Sequence, residues 1–310
     1  MEIFVSGSLA YDRIMDFPGR FSDHILPDKI HILNVSFTVN GMVEKFGGTA
    51  GNIAYSLSLL REKPVILATI GKDYQNYFAW LEKNGIALEG IKIISQEFTA
   101  GAYITTDKSD NQITGFNPGA MKYPSEYLLG NKDPRKSICL IAPGNLEDMI
   151  VYAAVCRDKG VPYICDPGQS LPMWDRPAML EWINGSAVLV SNDYELEMIM
   201  KTTGLDKKGL LKLTGVIITT LGEKGSVISS SISDLHIPAA TVKDVLDPTG
   251  AGDAYRSGLL KGIVAGRDIE TSAKMGAVAA AYAVEKYGTQ EHSYTYEDFL
   301  ERFAGDFGGL

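Results

Sequence analysis

Asp247-Pro248-Thr249-Gly250-Ala251-Gly252-Asp253-Ala254-Tyr255-Arg256-Ser257-Gly258-Leu259-Leu260-Lys261-Gly262 is the most informative stretch of the chain. Its second half has helical spacing, which predicts that Gly250 to Gly252 form the first turn of a helix, where backbone N–H groups lack intrahelical partners. Such amides can hold an anion. Glycine and alanine let a phosphate approach closely, and the positive end of the helix dipole favours negative charge there. Asp253 stands just beyond, placed to accept a proton from a hydroxyl that attacks phosphorus. The dipole is expected to lower the pKa of an aspartate in this turn and make it a weak base. Phosphoryl transfer tolerates that, because in a loose transition state positioning matters more than basicity. On a plainer reading, Asp and Thr cap a helix and the glycines only turn the chain. A dinucleotide fingerprint G-x-G-x-x-G fails, since its third glycine position is Tyr255.

Outward from this segment, short apolar runs recur at residues 3–5, 65–70, 138–142, 163–165, 187–190 and 216–219, and read as buried strands of a parallel sheet. Segments with helical spacing lie between them: Ala50, Ile53, Ala54, Leu57 and Leu60 share one face, as do Ala273, Gly276, Ala277, Ala280, Ala281 and Val284. The alternation predicts βαβ crossovers. Two stretches depart from it. Residues 13–46 carry β-type pieces, Ile30-His31-Ile32-Leu33 and Val35-Ser36-Phe37-Thr38-Val39, and residues 99–116 alternate on either side of an Asp-Asn turn. They predict a small β-sheet lid, built from insertions at the carboxyl ends of core strands, the edge where α/β sheets bind ligands. On this division residues 1–12, 47–98 and 117–310 form the core and 13–46 and 99–116 the lid. The last six residues, 305–310, read as a frayed tail.

Composition narrows the function classes. The 310 residues are 45% hydrophobic and carry a net charge of -9, the opposite of a nucleic-acid coat. A few backbone amides can still hold a small polyanion. Cys139, Cys156 and Cys165 form no C-x-x-C pair and read as reduced thiols, while His24, His31, His236 and His292 are too scattered for a metal site. The longest apolar run noted near the C-terminus, residues 277–284, is far short of the roughly 20 that span a membrane. A cytoplasmic protein with neither nucleic-acid nor membrane partner is expected.

A second cluster surrounds Gly47-Gly48-Thr49-Ala50-Gly51-Asn52. The Gly-Gly step lets the backbone lie against a ligand, and Asn52, on the opening turn of the next helix, offers a donor and an acceptor to sugar hydroxyls. Ser8 and Asp12 follow the first strand, and the Asp12 carboxylate could chelate two adjacent hydroxyls or simply cap a turn.

Together these stretches resemble the ribokinase-like (PfkB) family of sugar and nucleoside kinases. Residues 47–52 are similar to its first signature and Gly250-Ala251-Gly252-Asp253 to its second; Asn192-Asp193-Tyr194-Glu195 is similar to its N-x-x-E element, and Thr219-Thr220-Leu221-Gly222-Glu223-Lys224-Gly225 to its nucleotide-binding strand and loop. The likeness runs through nearly the whole chain in the right order, although Pro248 stands where the family has threonine. It implies a three-layer αβα Rossmann-like ribokinase fold with a small β-sheet lid, and phosphorylation by MgATP. By the resemblance, Asp253 acts with the anion hole of Gly250, Ala251 and Gly252, while Asn192, Thr220, Leu221, Gly222, Glu223, Lys224 and Gly225 meet ATP. Glu195 would act on Mg2+ indirectly, and K+ is a further candidate ion.

Within the family the chain most resembles bacterial adenosine kinases built like ribokinase, through Gly7-Ser8-Leu9-Ala10-Tyr11-Asp12, Phe17-Pro18-Gly19-Arg20-Phe21, Phe116-Asn117-Pro118-Gly119-Ala120-Met121 and Gly288-Thr289-Gln290-Glu291. That implies phosphorylation of the adenosine 5′-hydroxyl to give AMP, in purine salvage. Asp12 and Asn52 would hold the ribose diol, Gly48 the sugar, Ser8 and Ser36 would lie near the base, Phe116 would stack on it, and Gln169 would be a further contact. A sugar kinase of the same fold is the alternative, and a catalytically silent nucleotide sensor is the alternative of another class. Lid edges seek cover, so a homodimer through the lid is expected.

Overall fold

The computed structural model describes residues 1–309. In chain order its strands are β1 (Glu2–Ser6), β2 (Ala10–Asp16), β3 (Met42–Gly47), β4 (Pro64–Gly71), β5 (Ile91–Ile94), β6 (Ala100–Thr106), β7 (Gln112–Asn117), β8 (Ser137–Ile141), β9 (Tyr163–Cys165), β10 (Val188–Asn192), β11 (Val216–Thr220), β12 (Ser226–Ser229) and β13 (Asp234–Ile237). The helices are α1 (Thr49–Leu59), α2 (Gln75–Lys83), α3 (Leu146–Lys159), α4 (Arg176–Ile183), α5 (Asp193–Thr203), α6 (Lys207–Leu210), α7 (Ala251–Val264), α8 (Ile269–Val284) and α9 (Tyr296–Phe307).

The large sheet runs β13-β12-β11-β10-β9-β8-β1-β4-β5, parallel from β11 to β5 and closed on one side by the antiparallel β12 and β13. Its central strands are buried on both faces, as near-continuous apolar runs require. Alternate residues therefore feed two cores. Ile3, Val5, Ile138 and Leu140 pack with α1, α2, α7 and α8 residues such as Ile53, Leu81, Leu259 and Ala273. Phe4, Cys139 and Ile141 pack on the other face with Met149, Met179 and Ile199 of α3, α4 and α5. The result is the three-layer ribokinase-like architecture, with the carboxyl ends of the parallel strands opening on one edge.

The small sheet, β3-β2-β6-β7, corrects the expected strands. Residues 27–32 form a 3-10 helix and 33–40 no strand, whereas Ala10–Asp16 and Met42–Gly47 pair with each other. Leu26, Ile30, Ile32 and Leu33 are exposed and find no ladder, and β-type composition without a partner strand does not make a strand. The supposed frayed tail is also helical as far as Phe307. Thr295 and Asp298 form a capping box, and Phe299 and Phe303 are buried one turn apart. Residue 310 lies outside the described residues. No described helix is long and apolar enough to cross a membrane.

Candidate active site

Helix α7 begins at the carboxyl edge of the large sheet. Gly250 is its N-cap with φ 79°, and an added Cβ would come 3.1 Å from Thr289, so glycine suits both the backbone and the space. Asp247 steadies the turn by accepting from Thr249 N–H and Gly288 N–H, both at 2.9 Å. Of the three amides expected to meet an anion, that of Ala251 closes a turn onto the Pro248 carbonyl at 3.2 Å. Gly252 lies against the Arg256 guanidinium: an added Cβ would be 2.7 Å from Nη1.

Asp253 accepts a hydrogen bond from Asn52 Nδ2 at 2.8 Å, which joins the two signature stretches across 201 residues. Its pKa is pushed up to about 7, chiefly by burial and further by the charges of Asp166 and Glu195, while Asn52 and Arg256 pull it down. The expected lowering by the helix dipole is therefore overturned, because loss of hydration outweighs the dipole. A base near neutrality suits proton abstraction at pH 7. In the free protein the acid limb of a kcat/KM–pH profile is expected to bend near pH 7 with unit slope; a limb at pH 4 to 5 would place Asp253 among ordinary carboxylates.

Two residues escaped notice in the sequence. Arg256, one turn beyond Asp253, donates from Nη2 to Asp166 Oδ1 at 2.7 Å, and its Nε also meets Asp166 Oδ2. The pair is buried, at 6% and 2% exposure, so the guanidinium is locked beside the first turn of α7. Burial raises the Asp166 pKa, and Arg256 opposes that rise. The one available signal was an arginine three residues after the aspartate on an otherwise apolar helix face.

At the Gly-Gly step, Gly48 has φ 87° and an added Cβ would meet Ser8 O at 2.6 Å and Ala10 N at 2.7 Å, both backbone atoms. Gly48→Ala is expected to cost about 1–3 kcal/mol in urea unfolding from backbone strain alone, with the clash in addition. An unchanged midpoint would mean that the loop yields freely. Ser8 is buried and committed to the start of α1, its Oγ accepting from Thr49 N at 3.0 Å while its own N–H donates to Thr49 Oγ1 at 3.1 Å. Asp12 lies beside the Gly-Gly step, Oδ2 being 2.7 Å from where a Gly47 Cβ would sit. Burial and Asp247 raise its pKa, and Lys45 lowers it.

Register links Asp12 to a distant aromatic. Lys45, Asp12, Ala102 and Phe116 stand opposite one another on successive strands β3, β2, β6 and β7. Residues in such a row share one face, so Phe116 stands two strand spacings, about 10 Å, from Asp12 on the same side. Phe116 is 55% exposed, and Ser36 and Gln169 are exposed too, so none of the three is packed into the Asp12–Asn52–Asp253 group.

A cleft of about 570 Å³ opens on the other side of the α7 turn. Thr220, Gly222, Glu223 and Gly225 line it together with Ala251 and Gly252, so the loop after β11 and the first turn of α7 share one cavity. Its far wall is Ala277, Ala280, Ala281 and Val284, one face of α8 at i, i+3, i+4 and i+7. Small side chains there leave room for a flat ring system. Leu221 and Lys224 shape the loop instead, Leu221 N–H donating to Gly225 O and Lys224 N–H to Leu221 O. Asn192 and Glu195 form the capping box of α5. Among the described residues no three His, Cys, Asp or Glu side chains gather as a metal cage. A single carboxylate such as Glu195, whose charge reaches Asp253, suits a hydrated Mg2+ held chiefly by phosphate oxygens.

Known proteins give a consistent picture. The model of the pfkB family carbohydrate kinases matches residues 10–295. A nucleoside kinase of Methanocaldococcus jannaschii is 32% identical over 271 residues, 87% of this chain and 89% of the relative. A ribokinase of Haemophilus influenzae is 25% identical over 273 residues, 83% of this chain and 86% of its own length. Among solved structures, the nucleoside kinase of Burkholderia thailandensis in complex with inosine superposes with a TM-score of 0.87 at 34% identity, over 99% of each chain.

Proposed function

The chain belongs to the pfkB family of carbohydrate kinases, phosphotransferases with an alcohol acceptor, and we propose that it transfers the γ-phosphoryl group of ATP to the 5′-hydroxyl of a purine nucleoside, adenosine foremost. The observation that carries this choice is the row from Asp12 to Phe116. A nucleoside offers a diol at one end and an aromatic base at the other, on the scale of that roughly 10 Å spacing, whereas a free furanose would leave Phe116 unmatched. The inosine bound by the Burkholderia thailandensis enzyme supports the same class of acceptor.

In this reading Asp12 and Asn52 hold the ribose diol beside Gly48, and Phe116 stacks on the base, with Ser36 and Gln169 at the rim. Residues 13–46 and 99–116 act as a lid that excludes water from the core formed by 1–12, 47–98 and 117–310. Asp253 takes the proton of the 5′-hydroxyl as it attacks in line, and the amides of Gly250 and Gly252 together with Arg256 face the transferring charge, the Ala251 amide being held by Pro248. The adenine of ATP lies between the loop after β11 and the alanine face of α8. Bound Mg2+ would neutralise phosphate charge, with Glu195 holding its water shell.

Assay of ADP release with adenosine, inosine, guanosine, ribose and fructose tests the proposal. Nucleosides are expected to exceed the sugars in kcat/KM by about 10- to 100-fold, the range that stacking of one base supplies. Turnover of ribose or fructose with none of any nucleoside would make the chain a sugar kinase, and binding of adenosine without ADP release would make it a sensor. Phe116→Ala should lower kcat/KM for adenosine by about the same 10- to 100-fold and leave any ribose turnover within a few-fold. The same reading has a second copy covering the exposed Met42, Val43 and Ile113 of the lid strands, to be checked by sedimentation.

A further inference from the structure

We infer that Gln290 is a positioning residue, which fixes the end of the Asn52 amide that faces Asp253 and keeps a donor on that carboxylate throughout the reaction. The inference rests on Asp253 being the base. Gln290, in the loop between α8 and α9, touches neither Asp253 nor the cleft; it acts through Asn52.

The direction of the chain follows from its two outer ends. The Trp80 indole Nε1–H can only donate, and it lies 2.8 Å from Gln290 Oε1. The Tyr77 hydroxyl gives its single proton to the Gly47 carbonyl at 2.7 Å, so it meets Gln290 with a lone pair and accepts from Nε2 at 3.0 Å. Both neighbours demand the same orientation of the Gln290 amide. The second Nε2 proton goes to Asn52 Oδ1 at 3.0 Å, and Asn52 Nδ2 is thereby turned to donate to Asp253 Oδ2 at 2.8 Å. Tyr77 at 0%, Gln290 at 4% and Asn52 at 5% exposure are shut off from water, so turning either amide would set N–H against N–H with nothing to compensate.

The chain treats the two forms of Asp253 unequally. The carboxylate receives a donor, but the carboxylic acid finds no acceptor in Asn52. This favours ionisation against burial and against Asp166 on the β9 loop and Glu195 on α5, and it adds to the pull of Arg256 on α7. Tyr77 of α2 faces this side with Tyr11 and Asp12 near it, and burial keeps it neutral against the pull of the Gln290 hydrogen bond.

The test is a 13C NMR titration of the Asp253 carboxyl in the free protein, assigned by its loss in Asp253→Asn, beside the pH profile of adenosine phosphorylation. In Gln290→Met the Asn52 amide can turn when Asp253 takes up a proton and accept from it, so the carboxyl pKa should rise by about 0.5 to 1 unit. The acid limb of kcat/KM should follow. Trp80→Phe, which keeps the stack between Phe46 and Tyr55, removes the donor that selects the Gln290 orientation and should move the pKa in the same direction by less, and it carries the test if Gln290→Met does not fold. A carboxyl pKa unmoved in both variants would overturn the inference even if kcat fell. A shift in a protein that phosphorylates no nucleoside would uphold the coupling and remove the proposed function instead.

Discussion

Asp253→Asn is expected to lower kcat by roughly two to four orders of magnitude while nucleoside affinity stays within a few-fold. The amide keeps the shape of the side chain and can still meet Asn52, but it cannot take the 5′-hydroxyl proton. The same substitution should stabilise the fold, in a pH-dependent way. The folded-state pKa of about 7 stands well above that of an ordinary carboxylate, so the folded protein holds the proton more tightly than the unfolded chain. The stability from this group is complete below pH 4, declines as pH rises, and is lost once pH passes 7. The asparagine variant escapes that loss. At pH 8 it should gain about 1–3 kcal/mol, and at pH 5 clearly less. Urea unfolding at the two pH values checks this, and equal stability of variant and parent at both would contradict a strained, buried carboxylate.

Arg256→Met should be the most destabilising single change near the site. It leaves the Asp166 carboxylate at 2% exposure without its partner, and breaking a buried ion pair from one side costs about 3–5 kcal/mol. Asp166 can limit the damage by taking up a proton, so the loss should grow from pH 5 to pH 8. The double variant Asp166→Asn with Arg256→Met should recover a large part of it, since no buried charge remains. A single variant as stable as the parent would mean that water reaches the pair. Turnover should fall in the double variant even where stability returns, because the positive charge beside Gly252 is gone.

The parts of the site written in contiguous residues were legible without coordinates. Gly250 to Asp253 and Gly47 to Asn52 carry their chemistry in local spacing, and the large sheet follows from apolar runs whose period does not depend on distant partners. What needs a partner was not legible. The pieces at 30–39 have the composition of strands, yet the ladder formed with 10–16 and 42–47. Arg256 and Asp166 are 90 residues apart, and Gln290 is 238 from Asn52, so neither pairing leaves a mark in sequence spacing. The pKa of Asp253 belongs to the same kind: the dipole is a local property, but the burial that outweighs it is made by the packing of several elements. The alanine face of α8 was visible as an apolar run, and only the loop after β11 opposite it makes it the wall of a cleft.

The most direct measurement is identification of the product formed from ATP and adenosine, with 5′-deoxyadenosine as a control that keeps the base and the diol but lacks the acceptor hydroxyl. The expected result is adenosine 5′-monophosphate in equal amount with ADP, and neither product from 5′-deoxyadenosine. Phosphorylation of ribose or fructose with adenosine left untouched would contradict the assignment.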